Sequence, residues 1–425
     1  MTLLIKNGRV VHPVTGVVLS QDIFVENGKI AMLEHGLDTE ADQVIDAAGL
    51  VICPGLVDMH VHLRDPGFTY KEDVVTGSYA AAHGGVTSMA CMANTKPVLD
   101  TPEQMEYIYN RAKEGSGVQV YPIGAVSKGL LGEEPTDAEA LKKAGAIALS
   151  DDGVNVDNAN LMRDVLIKAR RLDLPVLCHC EDTSMVEGRA VNEGSVSRQL
   201  WLEGRPAIAE EIVVMRDAML AEETGAHVHV CHISTARSVD IVRRMKKKGV
   251  NITCETCPQY FTLTENEVLA QGSLARVNPP LRTAKDVQGI LAGLKDGTID
   301  AIATDHAPHS GEEKARPLTK APSGMVGLET SLAITLTELY HSGHMELPDI
   351  IRRMSTNPAD ILHLARGRMA IGAQADLTIF DPKEEWVIDP QQFVSKAHNT
   401  PFGGKKVKGK VKYTIVEGKV IYQDR

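Results

Sequence analysis

Histidine placement constrains this chain more than any other feature. His60-Val61-His62 closes one apolar, strand-like run, His179 closes another and His232 a third, and Asp305 follows the last such run. Imidazoles this far apart along the chain can serve one chemistry only if the fold gathers the ends of several strands. The C-terminal mouth of a parallel (β/α)8 barrel does that.

The rest of the chain is consistent with such a barrel. Strand-like runs near residues 56–62, 86–92, 118–124, 146–151, 175–179, 227–232, 250–255 and 299–304 alternate with helical stretches. This predicts an α/β fold of TIM type, with an open doubly wound sheet as the alternative. No glycine-rich phosphate loop follows the first run, and Gly84-Gly85 precedes a strand, so it reads as a turn. Residues 1–53 carry short strands with Asn7-Gly8 and Asn27-Gly28, both expected to favour hairpin turns. Residues 366–425 repeat that style, so the two ends are expected to form one discontinuous β-rich domain beside a barrel of residues 54–365. Strand alternation in Val228-His229-Val230-Cys231-His232 is expected to put His232, Val228 and Val230 on the inner face, with His227 and His229 on the other.

Composition narrows the function. The chain has 425 residues, 43% of them apolar, enough to bury a large core, and a net charge of −11, which argues against a nucleic-acid partner. No apolar run is long enough to span a bilayer, and the start, Met1 to Lys6, turns polar too soon for a signal peptide, so the cytoplasm is the expected location. Seven cysteines without a secretion signal predict reduced thiols. Cys254-Glu255-Thr256-Cys257 has no second pair to complete a zinc ribbon. The alternating lysines from Lys405 to Lys412 are expected on a strand with one solvated, charged face that discourages edge pairing. A homodimer is expected, as for many soluble enzymes.

A lone histidine in a strand is more often a hydrogen-bonded core or surface residue than a ligand. The whole set, ending in Asp305-His306-Ala307-Pro308-His309, instead predicts a metal-dependent hydrolase. These residues resemble the amidohydrolase superfamily and its cyclic-amidohydrolase branch. Pro54-Gly55-Leu56-Val57-Asp58-Met59-His60-Val61-His62-Leu63-Arg64-Asp65-Pro66-Gly67 is similar to the dihydroorotase form of the first-strand motif. The likeness continues through Met92-Ala93-Asn94-Thr95, Ser150-Asp151-Asp152-Gly153 and Val277-Asn278-Pro279-Pro280-Leu281-Arg282.

The resemblance implies two zinc ions per subunit. One would be held by His60, His62 and Asp305, the other by His179 and His232, with Asp152 bridging them. Hydantoinases and dihydropyrimidinases bridge with a carboxylated lysine, which Ala148-Leu149-Ser150-Asp151-Asp152-Gly153 does not offer. An aspartate bridge resembles one bacterial class of dihydroorotase, and Asp151, of opposite parity, is expected to be structural. The implied reaction is the reversible opening of L-dihydroorotate to N-carbamoyl-L-aspartate in pyrimidine biosynthesis, with Asp305 moving the proton. Arg64 suits the substrate carboxylate because its planar fork binds such groups bidentately. By the same resemblance His62, Asn94, Asn278 and His309 contact substrate. Ser323-Gly324 stands where these enzymes usually carry Phe-Gly, which alters the pocket wall there. The polar segment from His309 to Gly324 is a candidate lid.

Overall fold

Eight parallel strand segments follow one another around a closed circuit. Leu56–Val61 pairs with Val86–Cys91, and that strand with Gln119–Pro122. Parallel bridges from Gly124 to Leu149 and from Leu149 to Val176 carry the circuit through a fourth, very short segment. Val176–Cys178, Val228–Val230, Ile252–Thr256 and Ala301–Ile302 then pair in turn. A bridge from Val61 to His306, with His62 N–H donating to the His306 carbonyl at 2.8 Å, closes the ring. The fold is therefore the α/β barrel expected. These facts come from a computed structural model that describes residues 2–424, so the expectations touching Met1 and Arg425 lie outside the described residues.

The helices between the strands are delimited by local chemistry. Asp73, Asn158, Thr235 and Thr283 cap the N-termini of Val74–His83, Ala159–Arg171, Ala236–Lys247 and Ala284–Asp296 through side-chain oxygens. Left-handed glycines, Gly225 and Gly297, end Ile208–Thr224 and Ala284–Asp296. Inside the ring, Met59, Ala90, Ile123, Ala148, Leu177, Cys231 and Ala301 fill the barrel from successive strands. Outside it, Val86, Val176, Val228, Val230 and Ile252 pack with helix residues such as Met105, Val165 and Val242.

That division corrects one expectation. Val228 and Val230 point outward to the helices, whereas His229 is fully buried with its Nδ1 2.8 Å from Thr253 Oγ1. The strand ends at Val230, and His232 has φ +32°, so a turn and not simple alternation aims its ring.

The two chain ends meet in one eight-stranded sheet. Its order is Lys419–Gln423, Lys406–Val416, Leu377–Val387, Val51–Pro54, Thr2–His12, Val17–Glu26 and Lys29–Glu34, with Gln43–Asp46 pairing parallel to Thr2–His12. Asn27 and Gly28, both at positive φ, make the expected hairpin between Val17–Glu26 and Lys29–Glu34. Asn7-Gly8 does not: Thr2–His12 runs straight through it with a register shift, and a Cβ at Gly8 would stand 2.2 Å from Ile52 Cδ1. That glycine admits a neighbouring side chain instead of making a turn.

The lysine strand also differs from expectation. Lys406–Val416 is flanked on both sides and so is not an edge. Its lysines, exposed at Lys406 and half-buried at the rest, pair with carboxylates on the neighbouring strand and the C-terminal segment, Lys406 and Lys408 with Glu385, Lys410 and Lys412 with Glu384 and Asp424. All seven cysteines are buried and free. Among the described residues, no helix is long and apolar enough to cross a membrane.

Candidate metal centre and binding cavity

Strand ends bring the histidines and acids together at one mouth of the barrel. Both oxygens of the buried Asp152 carboxylate are used, each toward a different pair of rings. Oδ2 lies 3.4 Å from His60 Nε2 and 3.4 Å from His62 Nε2; Oδ1 lies 3.6 Å from His179 Nδ1 and 3.3 Å from His232 Nε2. Asp305 Oδ1 completes the first pair at 3.6 Å from His60 Nε2 and 3.1 Å from His62 Nε2. Among the donor groups whose ligand atoms lie within 4.8 Å of one another are His60, His62 and Asp305 on one side and Asp152, His179 and His232 on the other; a third, His60, Asp152 and Cys231, shares residues with both.

Backbone strain accompanies this convergence. Arg64, His232 and Asp305 all sit at positive φ, 59°, 32° and 49°, conformations that L-residues hold only where their surroundings enforce them. A register shift between Asp58 and Val61 likewise bends the first strand where its ligands begin.

Behind the rings stand groups that fix their orientation. His60 Nδ1 faces Glu255 Oε1 at 2.6 Å, and His62 Nδ1 faces Asn94 Oδ1 at 2.9 Å, which leaves both Nε2 atoms free to act as ligands. His179 Nε2 lies 3.2 Å from Asn278 Nδ2 and 3.5 Å from Glu181 Oε2. Arg205 salt-bridges Glu181 at 3.0 Å and thereby holds that acid in place.

The electrostatics favour a cation. Burial alone would disfavour the imidazolium of His60, but Asp152 and Glu255 outweigh it and raise its pKa well above the ordinary value. Burial is outweighed in the same way at His179, where Asp152 and Glu181 lift it to about 10. Asp152, although buried, is held well below the carboxylate range by His60, His179 and His232. His60 Nε2 and Asp152 Oδ1 are buried without a hydrogen-bond partner among the described residues. Orphaned nitrogen and oxygen atoms converging in this way fit a divalent metal ion, whose hard-to-borderline chemistry takes imidazole and carboxylate together.

A cavity of about 190 Å³ opens over these ligands. Its walls carry His62, Arg64, Asn94, Asp152, His179, His232, Asn278, Asp305, His309, Ser323 and Gly324, so every residue expected to touch metal or substrate is here except His60, which lies beneath. Arg64 Nε donates to the Pro308 carbonyl at 3.2 Å, and its Nη2 lies 3.4 Å from His309 Nε2. Burial and the neighbouring Arg64 and Lys71 cations push His309 down to about 2, so its ring is neutral. Ser323 meets His309 Nε2 with its carbonyl at 2.8 Å, while its hydroxyl is taken by Arg276 at 3.3 Å. At Gly324 (φ +133°) a Cβ would stand 2.7 Å from Ala307 Cβ. Asp151 turns away from the rings and accepts from Val126 N at 2.7 Å and Ser127 N at 3.0 Å.

The segment after His309 holds the short helix Gly311–Lys314, capped by Ser310. Buried Lys314 fastens it, with Nζ donating to the carbonyls of Arg276, Pro322 and Gly324 at 3.2, 3.1 and 2.9 Å. Sequence reasoning gave no role to Glu255, Glu181, Arg205 or Lys314. Only Glu181 carried a usable signal, because its spacing of two from His179 puts both on one face of an extended segment.

Comparison with known proteins adds an independent line. A dihydro-orotase-like family model matches residues 49–238. The chain is 47% identical over 423 residues to a dihydroorotase of Acetivibrio thermocellus, covering 100% of this chain and 99% of that one. It is 49% identical over 424 residues to a dihydroorotase of Citrifermentans bemidjiense, covering 100% of both. Among solved structures, an L-hydantoinase (dihydropyrimidinase) from Arthrobacter aurescens superposes with TM-score 0.90 at 26% identity, covering 99% of this chain and 96% of that one. A D-hydantoinase superposes with TM-score 0.87 at 26% identity, covering 100% and 96%.

Proposed function

The chain belongs to the dihydroorotase family of metal-dependent cyclic amidohydrolases, and we propose that it interconverts L-dihydroorotate and N-carbamoyl-L-aspartate, a step of de novo pyrimidine biosynthesis. The observation that carries this reading is Arg64 on the wall of a cavity floored by six candidate metal ligands, joined to full-length identity with dihydroorotases. The substrate is an anion, and a guanidinium gains by pairing with its carboxylate. The hydantoinase-type neighbours favour a second reading, a hydantoinase, dihydropyrimidinase or allantoinase, whose uncharged rings would leave Arg64 nothing to neutralise.

His60, His62 and Asp305 would hold one zinc ion and His179 and His232 a second, with the Asp152 carboxylate, which faces both pairs of rings, available to the two. When bound, such ions would lower the pKa of a water and polarise the amide carbonyl. Asp305 accepts the proton of the attacking water as its oxygen bonds to the ring carbonyl carbon. As the carbon–nitrogen bond breaks, Asp305 returns that proton to the departing nitrogen. Arg64, Asn94, Asn278 and His309 hold the substrate carboxylate and ring, with His62 and the backbone at Ser323 and Gly324 closing the wall. Residues 54–365 form the catalytic domain and residues 1–53 with 366–425 the β-rich one. The enzyme works as a homodimer in the cytoplasm.

The test is a side-by-side assay of zinc-loaded protein with dihydroorotate, dihydrouracil, hydantoin and allantoin, with metal content measured in parallel. Dihydroorotate turnover exceeding the others is expected. Preferred turnover of an uncharged ring would replace this reading with the second.

A further inference from the structure

Helix Ile208–Thr224 is built inside out. Its exposed positions from 208 to 221 are Ile208, Ile212, Met215 and Met219, at 39, 37, 37 and 59% exposure, while the charged residues of that stretch are turned inward or across to neighbours. Glu210 accepts from Ser234 N at 3.1 Å, Glu211 pairs with Arg237 at 3.3 Å, and Arg216 pairs with Asp217 at 2.8 Å. The flanking barrel helices are ordinary: Ala159–Arg171 exposes Asp164, Lys168 and Arg170, and Ala236–Lys247 exposes Arg237, Arg244 and Lys247. Trp201, just before the inverted helix, is 94% exposed. A surface helix normally shows water its charged face, so an apolar stripe with no charge on it marks a surface that something covers.

The stripe itself indicates what covers it. Its spacing, 4-3-4 residues along Ile208, Ile212, Met215 and Met219, reads the same in both directions. Two copies packed antiparallel about a twofold axis would therefore set Ile208 against Met219 and Ile212 against Met215 of the second copy, a self-complementary contact. The charges agree with that register. Exposed Glu222 and Glu223 would lie just beyond the second copy's Ile208, at the positive end of its helix dipole.

We propose that Ile208–Thr224 is the twofold interface through which this chain pairs with a second copy of itself. This rests on the homodimer reading above and narrows it to one surface. Ile212 and Met215 flank the axis, so each substitution there acts twice.

The test is light scattering on purified Ile212→Glu and Met215→Glu, beside the unaltered chain and Ile371→Glu, a control at another exposed apolar side chain. The unaltered chain and the control should be dimers, and each helix variant should self-associate at least about 100-fold more weakly, because two carboxylates would be buried per interface. Unchanged melting temperature would show that the helix variants still fold. Dimeric helix variants would overturn the surface and leave the dimer standing. A monomeric unaltered chain would overturn both and assign the stripe to another protein, and dissociation of the control would show that the helix is not the determinant.

Discussion

Two imidazoles on the floor of the cavity, those of His60 and His179, and the imidazole on its rim have opposite surroundings; His62, also on the floor, is lowered by burial and by the Arg64 cation. On the floor, His60 and His179 are backed by Asp152, Glu255 and Glu181, and their pKa values rise, to about 10 at His179. On the rim, His309 is buried beside Arg64 and Lys71 and falls to about 2. One side-chain type thus serves two purposes. The two rings backed by carboxylates await a cation, and a ring with Arg64 and Lys71 at 3.4 and 3.5 Å against the single carboxylate of Glu313 at 3.7 Å awaits an anion, so the cavity is polarised to seat a metal below and a carboxylate above.

The sharpest way to break this comparison is at the floor's acid. Asp305→Asn keeps a ligand oxygen but removes the base, so turnover should fall by at least about 1000-fold while metal content stays near that of the unaltered chain. Kinetics and elemental analysis on the same sample decide it, and near-normal turnover would remove Asp305 from proton transfer. Next in size is the rim. Arg64→Met should lower kcat/KM for dihydroorotate by about 100-fold, since a buried carboxylate would lose its partner. Arg64→Lys should recover only part of that, because an ammonium cannot pair in a fork. A neutral ring, if turned over at all, should be indifferent to both changes, and equal losses on charged and neutral rings would mean that Arg64 shapes the pocket without reading charge.

A smaller effect tests the groups behind the floor. Glu255→Gln removes the negative charge 2.6 Å from His60 Nδ1 and should weaken metal binding by about 10–100-fold. Competition with a chromophoric chelator measures it. Unchanged affinity would show that Glu255 supports the barrel alone, through His229 at 3.4 Å.

How far the sequence foretold all this varies by region. Strands and ligands at the mouth were readable because apolar runs and histidines recur at barrel spacing: His60, His62, His179, His232 and Asp305 converge as that pattern implies, joined by Asp152, which only the family resemblance had offered. Alternation failed at His232, where a positive φ after the strand's end breaks the period of two. Of two Asn-Gly pairs only Asn27-Gly28 turns the chain, since Gly8 answers to Ile52, a contact 44 residues away that no local signal encodes. Glu255 and Arg205 escaped notice for the same reason: their partners, His60 and Glu181, come from other strands and loops.

The smallest expected effect concerns the rim alone. An ordinary histidine near 6.5 gains charge as the solution is acidified, and an anion would then bind more tightly. His309, lowered to about 2, should not. Its depressed value means that the unfolded chain takes up a proton near 6.5 that the folded chain refuses, so acidification through that range costs stability without adding a cation to the site. The ratio of dihydroorotate affinities between the unaltered chain and His309→Asn should therefore stay constant, within about twofold, from about pH 9 down to about pH 6. A ratio that climbs as pH falls through 6.5 would mean that His309 charges in the folded state, and the contrast between floor and rim would fail at the residue that defines it.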